Sequence, residues 1–243
     1  MMKERFYKTQ DQSDKGVEVE IVKKEELGRG EFGVASSVAI EAGKHKFPFV
    51  LKEYKSEVSA KDELQKYLDA KEAGLKVFPT FRISEDGKKA IMTTGHTPEW
   101  VCIGSNNENV GGSLESLGLA KIKSIEEKSF DDFLKNFFEQ AVVASKDKFS
   151  LPYDAPFFFT QRNATENVKI DFVLGDLGQV GKNLSGDDDK RRNMKNVKSL
   201  KVALNDFIKR NLEDPRIYMG KINEAARVVD EMLKADTENK LVY

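Results

Sequence analysis

Three closely spaced glycines are the first residues whose type and spacing could do chemistry: Gly28, Gly30 and Gly33, in the segment LGRGEFGV. Because glycine has no Cβ, backbone amides in such a segment can approach phosphate oxygens closely. Apolar residues on both sides predict two strands, so the segment forms the turn of a β-hairpin. A dinucleotide-binding fingerprint would instead have these glycines at the start of a helix. The pattern predicts a flap over nucleotide phosphates, with a hairpin turn that binds no ligand as the alternative.

A lysine follows the glycine segment at the end of the next apolar strand. Lys52 lies nineteen residues after Gly33, at the end of the string FPFVLK. A lysine on the inner face of that strand can reach the α- and β-phosphates of a nucleotide beneath the flap. A strand-ending lysine is otherwise commonly a solvated charge. The glycine segment, this lysine and the helix predicted next occur in the order found in protein kinases, so the sequence resembles that family.

The resemblance implies further nucleotide-binding residues in the first half of the chain. In this family a carboxylate on the helix orients the lysine, and Glu63 is the first choice for it, with Glu57 as the alternative. Phe32 belongs to the glycine flap. The segment that contains Met92 and Thr94 is similar to the approach to the kinase hinge, where an adenine ring lies against backbone. ATP and Mg²⁺ are the implied cofactors.

Two aspartates are the candidates in the second half of the chain. In kinases a catalytic-base aspartate follows a long helix, and a metal-binding aspartate follows the next strand hairpin. The resemblance therefore implies that Asp154 accepts the hydroxyl proton and that Asp176 binds magnesium. Asp171 is the alternative metal ligand, and Asp176 is preferred because alternating apolar residues continue the strand as far as Leu174. The gap between Asp154 and Asp176 is long for the family, but equal lengthening of both strands leaves their ends in register.

Two positions depart from the family pattern. Pro152 stands where the family has a histidine, and Phe159 stands where it has the asparagine that holds a second magnesium ion. Asn163 lies further along the chain than that asparagine would. These departures favour, as the alternative to an active kinase, a nucleotide-binding pseudokinase that acts as an interaction scaffold. A small-molecule phosphotransferase of the same fold is a third interpretation.

Local patterns predict the elements that must position these residues. The first 15 residues are polar and are predicted to be loose. Strands are predicted over 17–27, 34–40, 47–52, 78–84, 89–94, 156–161 and 168–174, and helices over 59–73, 129–147, 196–211 and 216–235. Residues 104–118 and 179–193 are predicted to be polar loops, the first with room for a short helix.

The fold class expected from these elements is α+β. The resemblance implies a two-lobed protein-kinase-like fold, with an antiparallel-sheet N-lobe over residues 1–95 and a reduced, mainly helical C-lobe over 96–243. Glycines, lysine and both aspartates are then expected to converge on one cleft.

Composition restricts the classes of partner. The chain has 243 residues, 40 basic and 41 acidic, and a net charge of −1, so it has no one-sided basic field for nucleic acid. One cysteine and two histidines exclude an internal disulfide and a structural zinc site and fit a reducing compartment. No run reaches the roughly 18 apolar residues of a membrane span.

The function expected from these observations is that of a protein kinase, of Ser/Thr type, that acts as a cytoplasmic monomer on a protein substrate. The chain after Asp176 is too short for a full kinase C-lobe and has no Ala-Pro-Glu-like anchor. In this it resembles minimal kinases among bacterial effector proteins. That resemblance implies secretion into a host cell and a host protein as substrate.

Overall fold

Two compact units make up the chain, one of residues Met1–Ala70 with Val77–Thr97 and the other of Lys71–Lys76 with Pro98–Tyr243. The computed structural model describes residues 2–29, 33–42, 45–55, 57–93, 99–104, 113–177, 180–182 and 189–240. Within these residues the chain is α+β, and its sheets are antiparallel. The α+β class predicted from the sequence is thereby confirmed.

The first unit is built around a closed antiparallel barrel. Its elements are β1 Met2–Tyr7, β2 Val17–Arg29, β3 Gly33–Ala42, β4 His45–Tyr54, α1 Glu57–Glu72, β5 Phe81–Ser84 and β6 Lys89–Thr93. Among the described residues the strand order around the barrel is β1-β2-β3-β4-β6-β5. The predicted hairpins correspond to β2–β3 and β5–β6, and both pair as antiparallel neighbours.

Apolar residues at alternate positions fill the barrel, because successive side chains of a strand point to opposite faces. The buried cluster comprises Phe6, Val19, Ile21, Val38, Ile40, Leu51 and Ile91, with Phe49 packed against it. Helix α1 supplies Tyr67, whose ring stacks on Phe81 at a centroid distance of 5.3 Å. The Tyr67 hydroxyl donates to the carbonyl oxygen of Pro79 at 3.1 Å.

The prediction that the first 15 residues are loose was wrong for β1. This strand pairs with β2 from Met2 to Phe6 and with β5 at Phe6 and Tyr7, which closes the barrel. Phe6 is fully buried, and Glu4 is tied to Lys89 of β6 by an ion pair at 2.9 Å. The polar residues of β1 give it no clear strand pattern, and its burial depends on strands far away in the sequence.

In its described residues, the second unit combines two small sheets with three long helices. Its described elements are β7 Trp100–Gly104, a short 3₁₀ helix Glu115–Leu117, α2 Glu127–Lys146, β8 Phe149–Ser150, β9 Pro156–Gln161, β10 Ile170–Leu174, β11 Gly181–Lys182, α3 Asp189–Asn211 and α4 Arg216–Lys240. One sheet has the order β10-β9-β7, and the other pairs β11 with β8. No helix in the described part of the chain is both long and apolar enough to cross a membrane.

Phenylalanines of α2 form the core of this unit. The helix has apolar residues at intervals of three and four, which put them on one face, and its bounds agree with the predicted 129–147 to within two residues. Phe133 and Phe137 meet the Phe172 ring of β10 edge-on, at 5.7 and 4.8 Å. Phe158 of β9 stacks on Phe207 of α3 at 4.6 Å. The β9–β10 hairpin is thereby fixed on α2 and α3.

Candidate functional site

Lys52 and Glu63 form an ion pair in the first unit. Leu51 points into the barrel core, so Lys52, the next residue of β4, points to the opposite face, where α1 lies. Its Nζ is 2.5 Å from Oε2 of Glu63, and the two side chains are only 18% and 4% exposed. An ammonium has three N–H donors and Glu63 takes one of them, so the pair presents a positioned cation that could also bind a phosphate oxygen.

Tyr54 completes this arrangement. Its hydroxyl donates to Oε2 of Glu63 at 2.8 Å, and its ring lies 5.1 Å from Nζ of Lys52. One carboxylate oxygen therefore accepts from both Lys52 and Tyr54. The other oxygen, Oε1, is buried and has no hydrogen-bond partner among the described residues.

The residues predicted to surround a nucleotide in the first unit are only partly described. Met92 of β6 is opposite Val50, and Ala90 is opposite Lys52, so Met92 lies on the same face of the sheet as Lys52. Thr94 is outside the described residues, as are Gly30 and Phe32. Of the two candidate partners for the lysine, Glu63 makes the contact, and the side chain of Glu57 is outside the described part of the chain.

Two of the flap glycines lie in paired strands of the barrel, Gly28 in β2 and Gly33 in β3. Gly28 is opposite Ala35, just beyond an irregularity in the β2–β3 register. Gly33 is opposite Tyr54, and a Cβ added to it would lie 2.0 Å from the carbonyl oxygen of Glu53. Gly33 therefore has a packing reason to be glycine, independent of any ligand. The contact of this hairpin with phosphate stays a prediction.

Asp154 and Asp176 are held at one end of the β9–β10 hairpin in the second unit. The last register pair at that end is Pro156 with Leu174, and each aspartate lies two residues beyond it. The backbone N–H groups of Gly175 and Asp176 both donate to the carbonyl oxygen of Ala155, at 2.8 and 3.4 Å. The two chain segments that carry the carboxylates are thus fastened to each other.

The electrostatics of this pair affect Asp154. Burial and, after it, the negative charge of Asp176 raise the pKa of Asp154 above the ordinary aspartate value. Oδ1 of Asp154 is buried and has no hydrogen-bond partner within the described ranges. A carboxyl with a raised pKa and an unused acceptor is suited to receive a proton from a substrate.

These two carboxylates also fit a hard divalent cation. Mg²⁺ is commonly bound by one or two carboxylates, with phosphate oxygens and waters as its other ligands. Among the described residues there is no group of three or more His, Cys, Asp or Glu side chains that could hold a metal by themselves. A cation held by these two carboxylates would therefore need further oxygen ligands from water or a bound molecule.

Asp171 lies elsewhere on the hairpin. It is in the middle of β10, opposite Phe159, and its half-exposed carboxylate is paired with Lys76. Nζ of Lys76 also lies 4.8 Å from the centre of the Phe172 ring. The strand continues past Asp171 to Leu174, as the alternating pattern predicted, and Asp176 follows its end.

Phe159 cannot supply the metal ligand that an asparagine provides at this position in kinases. It lies within β9, between Cys102 of β7 and Asp171 of β10, and its side chain has no oxygen. Asn163 follows β9 in the connection to β10, at the opposite end of the hairpin from Asp154. Neither residue therefore offers a ligand beside Asp154 and Asp176.

Sequence reasoning missed Tyr54 and the bonds to Ala155. The signal for Tyr54 was its place two residues after Lys52, which puts both side chains on one face of β4. The bonds to Ala155 use backbone groups, which leave no mark on residue type. The meeting of Lys52 with Asp154 and Asp176 on one cleft stays a prediction.

Comparison with known proteins assigns no family. The chain matches no protein-family model, and a search of curated proteins finds no match. The likeness to kinases therefore depends on the residues and contacts described above.

Proposed function

We propose that this chain is an ATP-dependent protein kinase that transfers the γ-phosphate of ATP to a serine or threonine hydroxyl of a protein, and that this substrate is a host protein. The observation that carries the proposal is the nearly buried pair of Lys52 and Glu63. Burying an ion pair costs desolvation energy that the attraction barely offsets, so such a pair is weak evidence for stability alone. A role in binding an anionic ligand would explain why the chain has this buried pair.

The first unit supplies the nucleotide-binding residues in this proposal. Lys52, held by Glu63, binds the α- and β-phosphates, and backbone amides near Gly28, Gly30 and Gly33 cover them. Met92 lies on the face of the sheet that carries Lys52 and is 7% exposed. With Thr94, it would contact the adenine ring.

The second unit supplies the groups for transfer. Asp154 accepts the proton of the substrate hydroxyl, and the oxygen of that hydroxyl attacks the γ-phosphorus. The bond from the γ-phosphorus to the β–γ bridging oxygen breaks at the same time, which releases ADP. Asp176, with the phosphates, would hold Mg²⁺, which supplies charge neutralisation as negative charge develops on the leaving oxygen. The raised pKa of Asp154 supports its assignment as the base.

The direct test is phosphate transfer by the purified full chain. We expect wild type with Mg-ATP to phosphorylate itself or an added mixed protein substrate, detected by phosphosite mass spectrometry. Asp176→Ala should lose this incorporation while it keeps its fold by circular dichroism. Equal incorporation by wild type and Asp176→Ala would refute the metal role.

A pseudokinase scaffold is the second candidate, and Phe159 favours it. Without the oxygen ligand that a kinase has at this position, the second metal site of the family lacks a residue here. A thermal-shift series with Mg-ATP, run beside the transfer assay, separates the two functions. The scaffold would be stabilised by nucleotide and would transfer no phosphate, whereas the kinase would do both.

A further inference from the structure

Tyr54 is fixed beside the lysine and glutamate by its own strand. It is 7% exposed, and its backbone N–H donates to the carbonyl oxygen of Lys88 at 2.8 Å. It lies opposite Gly33 on β3, which has no side chain to crowd it. Its hydroxyl therefore reaches Glu63 from a rigid position.

Both hydrogen bonds to the Glu63 carboxylate end on the same oxygen. Oε2 accepts from Lys52 and from Tyr54, while Oε1 is buried and has no partner within the described residues. If only Lys52 donated, the carboxylate could turn and offer either oxygen to the ammonium. The Tyr54 hydroxyl removes that freedom, because it fixes which oxygen faces the lysine.

We propose that Tyr54 is a positioning residue that holds Glu63, and through it Lys52, in the geometry needed to bind nucleotide phosphates. The role of the phosphates rests on the function proposed above, while the positioning itself is a property of the protein without ligand. When Lys52 turns a donor towards a phosphate, Tyr54 keeps Glu63 in place. The face of the Tyr54 ring also attracts the ammonium, which limits its range of positions.

Two tyrosines of the first unit make a matched pair of substitutions. Tyr54→Phe removes the hydroxyl that bonds Glu63, and Tyr67→Phe removes a hydroxyl that bonds the backbone oxygen of Pro79. Both changes delete one hydrogen bond from a buried tyrosine and keep the ring. The Tyr54 hydroxyl bonds the partner of Lys52, whereas the Tyr67 hydroxyl bonds a backbone oxygen, so Tyr67→Phe controls for general loosening of the unit.

The first measurement needs no nucleotide. The full chain is pulse-labelled with an amine-acylating reagent, and the rate at Lys52 is read by peptide mass spectrometry. We expect Tyr54→Phe to accelerate labelling of Lys52 about tenfold, the effect of losing a hydrogen bond to a charged group. Labelling of Lys52 in Tyr67→Phe should stay at the wild-type rate. Equal rates in wild type and Tyr54→Phe would overturn the proposal.

The second measurement is the affinity for a non-hydrolysable Mg-ATP analogue by calorimetry. Tyr54→Phe should raise the Kd about tenfold and should have no further effect in a Glu63→Ala background, which lacks the oxygen that the hydroxyl bonds. An additional loss in that background, or the same loss in Tyr67→Phe, would contradict a role through Glu63. If wild type and Lys52→Ala bind the analogue equally, the phosphate role of Lys52 fails, and the labelling result still decides whether Tyr54 positions it.

Discussion

Asp154 and Asp176 each lie two residues beyond the last paired residues of β9 and β10. The backbone N–H of Asp176 donates to the carbonyl oxygen of Ala155, the residue that follows Asp154. The hairpin thus sets the separation of two carboxylates whose charges repel each other. Such an arrangement carries an electrostatic cost in the folded protein, which is common where residues are selected for chemistry rather than for stability.

Relief of this repulsion should make Asp154→Asn more stable than wild type. Because the pKa of Asp154 is raised in the folded protein, its carboxyl binds a proton more tightly in the folded state than in the unfolded state. The stability that this proton contributes is lost as pH rises through the folded pKa. With chelator present, we expect Asp154→Asn to be more stable than wild type near pH 7, by a small margin because solvent screens the partly exposed carboxyl. The gain should shrink at pH values below the ordinary aspartate range. Urea unfolding at both pH values measures this, and a gain that is larger in acid would contradict it.

Asp176 and Asp171 should differ in their effect on phosphate transfer. Asp176→Asn is expected to lower incorporation at least a hundredfold, since an electrostatic ligand of the transferring group is lost (compare the 10²–10³ factor for single catalytic donors). Asp171→Asn breaks a half-exposed pair with Lys76 and should change stability by about 1 kcal/mol or less, with transfer retained. Transfer assays on both variants decide the metal ligand, and the reverse pattern would assign it to Asp171.

Gly33→Ala should destabilise the barrel through a clash between strands. The new Cβ would lie 2.0 Å from the Glu53 carbonyl oxygen, so β3 and β4 must separate, at a cost of about 2 kcal/mol or more. Gly220 in α4 has open space around it, and Gly220→Ala should stabilise the protein by about 1 kcal/mol. Denaturant unfolding compares the two. If Gly33→Ala is neutral for stability yet abolishes ATP binding, the glycine is required by the ligand rather than by packing.

Phe6→Ala should show that β1 is part of the first unit's core. Phe6 has no exposed surface, and truncating a fully buried phenylalanine typically costs about 3–5 kcal/mol. Phe47 of β4 is 47% exposed, so Phe47→Ala should cost about 1 kcal/mol or less. Thermal unfolding of the two variants tests this. Similar losses at both positions would mean that β1 is not required for the core.

Elements with a long, regular apolar pattern could be predicted from the sequence. Helix α2 was found to within two residues because its phenylalanines recur at helical spacing. The β9 bounds agree with the predicted 156–161, since its inward and outward residues alternate. Strands β1 and β7 were missed, because each is five or six residues long and is stabilised by pairing with strands distant in the sequence.

The candidate site could be predicted only where residue types carry the signal. Lys52 and Glu63 were paired through the resemblance to kinases, and their contact is present. Tyr54 was not found, because its spacing from Lys52 places it on the same face of β4 but does not encode the contact of its hydroxyl with Glu63. The same holds for the fastening of Asp176 to Ala155 by backbone bonds.

Closure of the barrel by β1 also bears on association between chains. An edge strand of an open sheet exposes a row of unpaired backbone N–H and C=O groups, which can pair with a strand of another molecule. Because β1 pairs with both β2 and β5, the described strands of the first unit form a closed barrel without such a row. Deleting the first eight residues would expose the edges of β2 and β5, and the shortened protein should then aggregate at concentrations where the full chain stays dispersed.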